Sequence, residues 1–141
     1  MKAISSVAAA AALFVSVPAL AGHSIQSTHG LSIVDNGASS PATGVNMAIT
    51  WNESTLYAYA SFSGIANGNS YDFNLVGSSV TAVTASNING LWNIHRNGVL
   101  ICGGCTGSAY GLTAGVGSGI KFYTSGEVYG FSAYVDARQD Y

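Results

Sequence analysis

Residues 45–62, with the sequence VNMAITWNESTLYAYASF, decide the fold that the chain predicts. From 45 to 51 every second residue is a large apolar one, which places these side chains on one face of a β-strand: Val45, Met47, Ile49 and Trp51. The turn formers at 52–55 interrupt the alternation, which resumes from 56 to 62. The stretch therefore predicts a β-hairpin with one apolar face. Because an isolated hairpin is marginal in water, further strands must cover that face.

Two tyrosines lie on the opposite face of the second strand of this hairpin. Tyr57 and Tyr59 alternate with the apolar positions of residues 56–62. If that face meets water, the two rings form a contact surface for a sugar or a protein, because tyrosine offers a large area at a small cost in entropy. The alternative is a sheet that is buried on both faces, with these rings in a second core.

Residues 1–21 have the features of a secretory signal peptide. Lys2 precedes an apolar run from 7 to 17, Pro18 ends the run, and Ala-Leu-Ala at 19–21 is a small-x-small cleavage site. A retained membrane anchor is less consistent with a run shorter than the ~20 residues that span a bilayer. The sequence thus predicts a secreted protein (extracellular, cell-surface or periplasmic) with one domain at 22–141 and no integral membrane span.

Charge is unusually sparse in this chain. Charged residues make up 7% of the sequence, against about 25% in ordinary soluble domains. Without Lys2, three basic and six acidic side chains remain. Nucleic acids and anionic membrane lipids are poor partners for such a surface, whose polarity must come from Ser, Thr, Asn, Gly and Tyr.

The rest of the chain also has the signals of short strands. Residues 91–102 predict a second hairpin around Asn97-Gly98, a pair that suits a type I′ turn. Residues 71–75 alternate, and residues 120–124 and 127–135 predict a last hairpin with its turn at Ser125-Gly126. The fold class predicted is all-β, a single-domain antiparallel β-sandwich or small β-barrel of about seven to nine short strands.

Four segments have weaker patterns. Residues 31–34 predict an edge strand, 35–44 a loop, and 136–141 a polar tail. Residues 103–119 are rich in glycine, which disfavours a helix at about 1 kcal/mol per interior glycine. A single helical turn around 109–114 remains an alternative there.

Cys102 and Cys105 form a Cys-Gly-Gly-Cys motif in a chain predicted to be secreted. An even number of cysteines in an oxidising compartment favours a disulfide, which here would pin a tight glycine turn. Redox-active pairs of this spacing usually begin a helix, and no helix start is evident. Zinc would need two more ligands, with only His95 nearby in the sequence.

His23 is the weak candidate for a metal ligand, because cleavage after residue 21 would leave it second in the mature chain, where an amine, an amide and an imidazole can chelate copper. The alternative to copper binding is that His23 is part of a mobile polar N-terminus. No carboxylate pair, serine motif or phosphate loop indicates catalysis. The prediction is a non-enzymatic protein without a cofactor.

One segment resembles part of a known family. The sequence FYTSG at 122–126, followed by an apolar and aromatic strand, resembles a segment of the receptor-binding B subunits of some bacterial AB-type toxins. That resemblance implies an OB-like fold, ring assembly and glycan binding. The likeness is short, the helix before that segment in the family is broken by glycines here, and the cysteines are placed differently. No residue role is carried over.

The sequence thus predicts a protein that binds or assembles. The leading hypothesis is a self-associating cell-surface, matrix or fibre subunit, since few charges or prolines guard the predicted strand edges. The alternative is a glycan- or receptor-binding module, and a periplasmic copper-binding protein is the third hypothesis. The candidate binding surface comprises four aromatic residues: Tyr57, Tyr59, Trp92 and Tyr129.

Overall fold

The computed structural model describes residues 22–141. The predicted signal peptide, 1–21, lies outside the described residues. Twelve strands form within them: β1 (Gly22–Ser27), β2 (Gly30–Asp35), β3 (Ala38–Pro41), β4 (Thr43–Asn52), β5 (Tyr57–Ala66), β6 (Asn69–Leu75), β7 (Ala82–Val83), β8 (Asn87–Arg96), β9 (Val99–Tyr110), β10 (Gly119–Thr124), β11 (Tyr129–Tyr134) and β12 (Ala137–Asp140). The only helical elements there are two 3-10 turns, Gly77–Ser79 and Ser125–Glu127.

The all-β prediction is confirmed, whereas the predicted number of strands and the sandwich alternative are wrong. All strands belong to one antiparallel sheet in the order β12-β1-β4-β5-β6-β8-β9-β10-β11-β2-β3, with β7 added beside β8. This sheet curls around a single core, so the protein is not a small sandwich of seven to nine strands. The excess comes from short polar strands, such as the four residues ASSP of β3 and ARQD of β12.

The first and last strands join the two ends of this sheet. β1 pairs with β12, and β2 pairs with β11, so residues 22–35 and 129–140 form one long antiparallel ribbon. The ribbon bends where the Tyr134 N–H donates to the His29 carbonyl and the Asp136 N–H donates to the Gln26 carbonyl. One half of the ribbon lies beside β4 and the other beside β10, so the sheet curls until its ends meet.

Five aromatic rings fill the inside of the curl. They come from five strands and are each at most 1% exposed: Phe62, Phe73, Trp92, Phe122 and Phe131. Phe62 stacks on Phe131 with 5.0 Å between ring centroids, and Trp92 approaches Phe122 to 4.3 Å. Offset and tilted contacts of this kind add to the stabilisation that burial of the rings provides.

The hairpin predicted at 45–62 is present as β4 and β5. Its predicted apolar face is buried within the strands, with Ile49, Trp51 and Phe62 fully inaccessible. Leu56 is the exception, because it lies in the turn before β5 with a positive φ and is 51% exposed. The second predicted hairpin is β8–β9, and Asn97 and Gly98 both have positive φ, as a type I′ turn requires. The sequence therefore identified both of the longest hairpins from alternation and turn chemistry.

Four of the weaker interpretations are wrong. The predicted loop at 35–44 contains a turn at Asn36-Gly37 and the strand β3, and the predicted polar tail contains β12. The alternative of a helical turn around 109–114 also fails, because β9 continues to Tyr110 and a loop follows. Residues 31–34 lie in β2, which is paired on both sides rather than at an edge.

Candidate functional site

Tyr57 and Tyr59 project from the outer face of β5 into solvent. Their exposed fractions are 52% and 51%. The alternative of a second core that covers these rings is therefore wrong for residues 22–141. Inner-facing neighbours on the same strand, such as Phe62, are fully buried, so the two faces of β5 differ completely in environment.

A concavity of about 460 Å³ lies on the outer face of β1, β4 and β5, next to Tyr59. We call it the Tyr59 site. Amide and hydroxyl side chains dominate its lining, and the residues that matter most are Gln26, Thr28, Asn46, Tyr59, Ser61 and Ser63. Residues 22–141 contribute no lysine or arginine to this lining.

The register of the three strands explains the shape of the Tyr59 site. Ala48 of β4 lies opposite Gln26 of β1 and Ser61 of β5, so the smallest side chain of this row is at its centre. Asn46 and Ser63 form the next row. Because outward side chains on neighbouring strands lie about 5 Å apart, small residues in the centre leave a shallow floor with polar groups around it.

The wall of the Tyr59 site is the bend of the ribbon. Asp136 Oδ2 accepts hydrogen bonds from the Thr28 N–H at 2.5 Å and from the Thr28 hydroxyl at 3.1 Å, and Oδ1 lies 2.8 Å from His29 Nδ1. The Thr28 N–H, followed by the His29 and Thr28 side chains, holds the pKa of Asp136 below its ordinary value. The carboxylate is therefore charged at neutral pH, which disfavours an anionic ligand here.

The structure does not bring the four predicted surface aromatics together. Trp92 is fully buried between Phe62 and Phe122, so it belongs to the core and not to any surface. Tyr129 is half-buried and lines a separate groove of about 240 Å³ beside the cysteine pair. Only Tyr57 and Tyr59 share one exposed face.

Cys102 and Cys105 form a disulfide, with their Cα atoms 6.0 Å apart. The sequence had indicated a tight turn at these cysteines. In the structure both lie inside strand β9. The register with β8 shifts on both sides of this segment, and the Gly104 N–H donates to Asn93 Oδ1 at 2.9 Å. Residues three apart in a regular strand lie about 10 Å apart, so the disulfide holds the strand in a bulge.

His23 is held in β1 by two carboxylates. Its Nδ1 lies 2.6 Å from Asp140 Oδ1 and its Nε2 lies 2.8 Å from Glu53 Oε1, while the ring packs on Trp51 at 4.8 Å. Hydrogen bonds from His23 and then Arg138 lower the pKa of Asp140. A copper ion at His23 would have to displace these carboxylates, and copper binding there stays a prediction.

A fourth carboxylate, Asp35, lies at the end of β2. Its Oδ2 accepts hydrogen bonds from the Tyr71 hydroxyl at 2.5 Å and from Arg96 Nη1 at 2.7 Å. Burial, followed by the contact with Asp35, raises the pKa of Tyr71. This cluster connects β2 to β6 and β8 through side chains. It therefore joins β2 to strands with which it is not paired by backbone hydrogen bonds.

No protein-family model matches this sequence, and no curated protein or solved structure is significantly similar to it. Across residues 22–141, no helix is long and apolar enough to cross a membrane. The same residues hold no group of three His, Cys, Asp or Glu side chains arranged for a metal ion. What the protein does must be argued from its surface.

Proposed function

We propose that the protein is a non-enzymatic binding protein, exported from the cytoplasm, whose Tyr59 site binds a neutral saccharide. The observation that carries the proposal is the composition of this concavity. It combines one exposed ring, Tyr59, with amide and hydroxyl groups on three adjacent strands and lacks a described cationic side chain. The export rests on the signal peptide that residues 1–21 predict.

Each part of the lining suits one feature of a neutral sugar. The face of Tyr59 carries the partial negative charge of its π-system, which attracts the weakly positive C–H groups of a pyranose face. Gln26 and Asn46 each offer both donors and an acceptor, and Ser63 offers a hydroxyl, which match the mixed donors and acceptors of sugar hydroxyls. The Ser61 hydroxyl donates to Asn74 Oδ1 at 3.0 Å and therefore adds an acceptor. Strands hold these groups, so little ordering is needed on binding.

Self-association was the leading hypothesis from the sequence, and the strand edges give it less support. The two outer strands, β3 and β12, have four residues each. β3 ends at Pro41, and β12 carries Arg138 and Asp140. Short length, proline and charge are the features by which proteins guard their edges against pairing. Self-association through these edges stays a prediction. The predicted scarcity of charges and prolines at the edges no longer supports it.

The test is binding of the purified chain to a panel of neutral oligosaccharides, followed by calorimetry with the strongest binder. We expect Tyr59→Ala to weaken that binding by about tenfold, since one aromatic contact contributes ~1 kcal/mol or slightly more. Tyr141→Ala is the matched control, because Tyr141 is 52% exposed after β12 and does not line the Tyr59 site. Its affinity should equal that of the unmodified chain.

Two results would overturn the proposal. One is the absence of binding to every neutral saccharide at millimolar concentration. The other is an equal loss in both tyrosine variants. Light scattering on the same samples separates assembly from binding, because a stable oligomer that Tyr59→Ala dissociates would show that the exposed ring contacts a second copy and not a sugar.

A further inference from the structure

A second concavity lies on the outer face of β9 and β10, on another part of the sheet. Its volume is about 460 Å³, as at the Tyr59 site. We call it the Tyr123 site, and its main lining residues are Thr106, Ser108, Tyr110, Lys121, Tyr123 and Glu127. We propose that the Tyr123 site binds a saccharide that carries a carboxylate, such as a uronic acid, independently of the Tyr59 site.

Lys121 is the feature that distinguishes the two sites. Residues 22–141 contain one lysine and two arginines, and both arginines form ion pairs: Arg96 with Asp35 at 2.7 Å and Arg138 with Asp140 at 3.1 Å. Within these residues Lys121 forms no ion pair, and its side chain lines the Tyr123 site. It is therefore the amine that an incoming carboxylate can meet without displacing an internal partner.

The aromatic rings beside Lys121 are placed by the register of the sheet. Tyr110 of β9 lies directly opposite Lys121, and Tyr123 follows two residues later on the same face of β10. Tyr123 lies opposite Gly130 of β11, where a Cβ atom would come within 2.6 Å of the Tyr123 ring. Part of the ring therefore occupies the space that a side chain at Gly130 would fill, which restricts its position before any ligand arrives.

The remaining polar groups favour a sugar over a simple carboxylate. Thr106 supplies a hydroxyl on β9, and Glu127 adds an acceptor at the turn after β10. The Ser108 hydroxyl donates to Asn89 Oδ1 at 2.6 Å, so it offers a ligand an acceptor. Glu127 makes no ion pair with Lys121 in the described part of the chain, so the concavity has a basic part and an acidic part. A ligand must therefore place its carboxylate near Lys121 and its hydroxyls near Glu127, an arrangement that a densely anionic polymer does not match.

The experiment compares a uronic-acid oligosaccharide with the same oligosaccharide after reduction of its carboxyl groups to alcohols. Calorimetry on the full purified chain should detect the acidic form, and Lys121→Gln should weaken its binding by about fivefold or more, the size expected for a solvent-exposed charge-assisted contact. The carboxyl-reduced form should bind equally to both proteins, because any binding at the Tyr59 site does not involve Lys121. Lys121→Arg should retain most of the affinity, and added salt should reduce it.

Two controls keep this test separate from that of the proposed function. Tyr59→Ala should leave the affinity for the acidic form unchanged, so this site can stand if the neutral-sugar proposal fails. Circular dichroism should confirm that Lys121→Gln is folded, which an exposed position favours. The proposal is overturned if the acidic form does not bind, if Lys121→Gln binds it equally well, or if free acetate competes as strongly as the oligosaccharide does.

Discussion

The two faces of β5 hold aromatic side chains of similar size in opposite environments. Phe62 is fully buried among Trp92, Phe122 and Phe131, whereas Tyr59, three residues before it, is half exposed beside a polar concavity. The inner face accounts for why the sheet folds, because its rings leave water together. The Tyr59 ring stays half exposed and gains less from folding, which is why we propose that the outer face binds a ligand.

Removal of one ring from each face gives the largest expected contrast. Phe62→Ala should lower the free energy of unfolding by about 4 kcal/mol, because it removes buried surface and leaves a cavity. Tyr59→Ala should change it by no more than about 0.5 kcal/mol, as exposed substitutions usually do. Urea denaturation followed by tryptophan fluorescence measures both. Equal destabilisation in the two variants would mean that the outer face also stabilises the fold.

Two carboxylates extend the comparison between the inner and outer faces to polar side chains. Asp35 contacts the buried residue Tyr71, and Asp72 lies on the outer face of β6. Asp35→Ala removes the acceptor for Tyr71 and Arg96 and should cost about 2 kcal/mol, since the buried Tyr71 hydroxyl then lacks its partner. Asp72→Ala is the control, because Asp72 is an exposed carboxylate on the outer face of β6. Similar unfolding midpoints for both variants would contradict the role of Asp35 in joining β2 to β6 and β8.

The smallest expected effect on stability is that of a substitution at Asp136, in the wall of the Tyr59 site. Because its pKa is lower in the folded protein than its ordinary value of 3.8, Asp136 stabilises the fold above that value and loses this contribution as the pH falls through its folded pKa. Asp136→Asn should therefore lower the urea midpoint at pH 7. The difference from the unmodified chain should shrink as the pH falls below about 4.

The matched variant for Asp136 is Asp72→Asn, on an exposed carboxylate that lies outside the ribbon. At pH 7 its urea midpoint should lie close to that of the unmodified chain, as is usual for an exposed substitution. A midpoint difference for Asp136→Asn that stays constant from pH 7 to pH 3 would show that the carboxylate charge does not hold the bend.

The sequence predicted the parts of the fold that local signals determine. Alternation identified the strands β4 and β5, and Asn97-Gly98 located the turn between β8 and β9. The sequence did not predict β3 and β12, because their polar residues show no alternation of apolar and polar positions. These segments become strands through pairing with β2 and β1. Two further Asn-Gly turns, at Asn36 and Asn67, were signals that could have located the β2–β3 and β5–β6 hairpins.

The candidate site was predictable only in part. Alternation placed Tyr57 and Tyr59 on the face opposite the apolar one, but it left open whether that face meets water. Trp92 was misplaced, since one aromatic residue in a strand does not reveal which face the curl encloses. The contribution of Gln26 and Asp136 depends on the pairing of strands distant in sequence and on the bend of the ribbon. No local pattern encodes either feature.

Amide chemical shifts during titration with a neutral oligosaccharide test the central claim most directly. The account predicts shifts concentrated in the row Gln26, Ala48 and Ser61 and at Tyr59, with little change at the edge strands β3 and β12. Shifts confined to the edge strands, or shifts that follow protein concentration and not the sugar, would contradict the assignment of the outer face to saccharide binding.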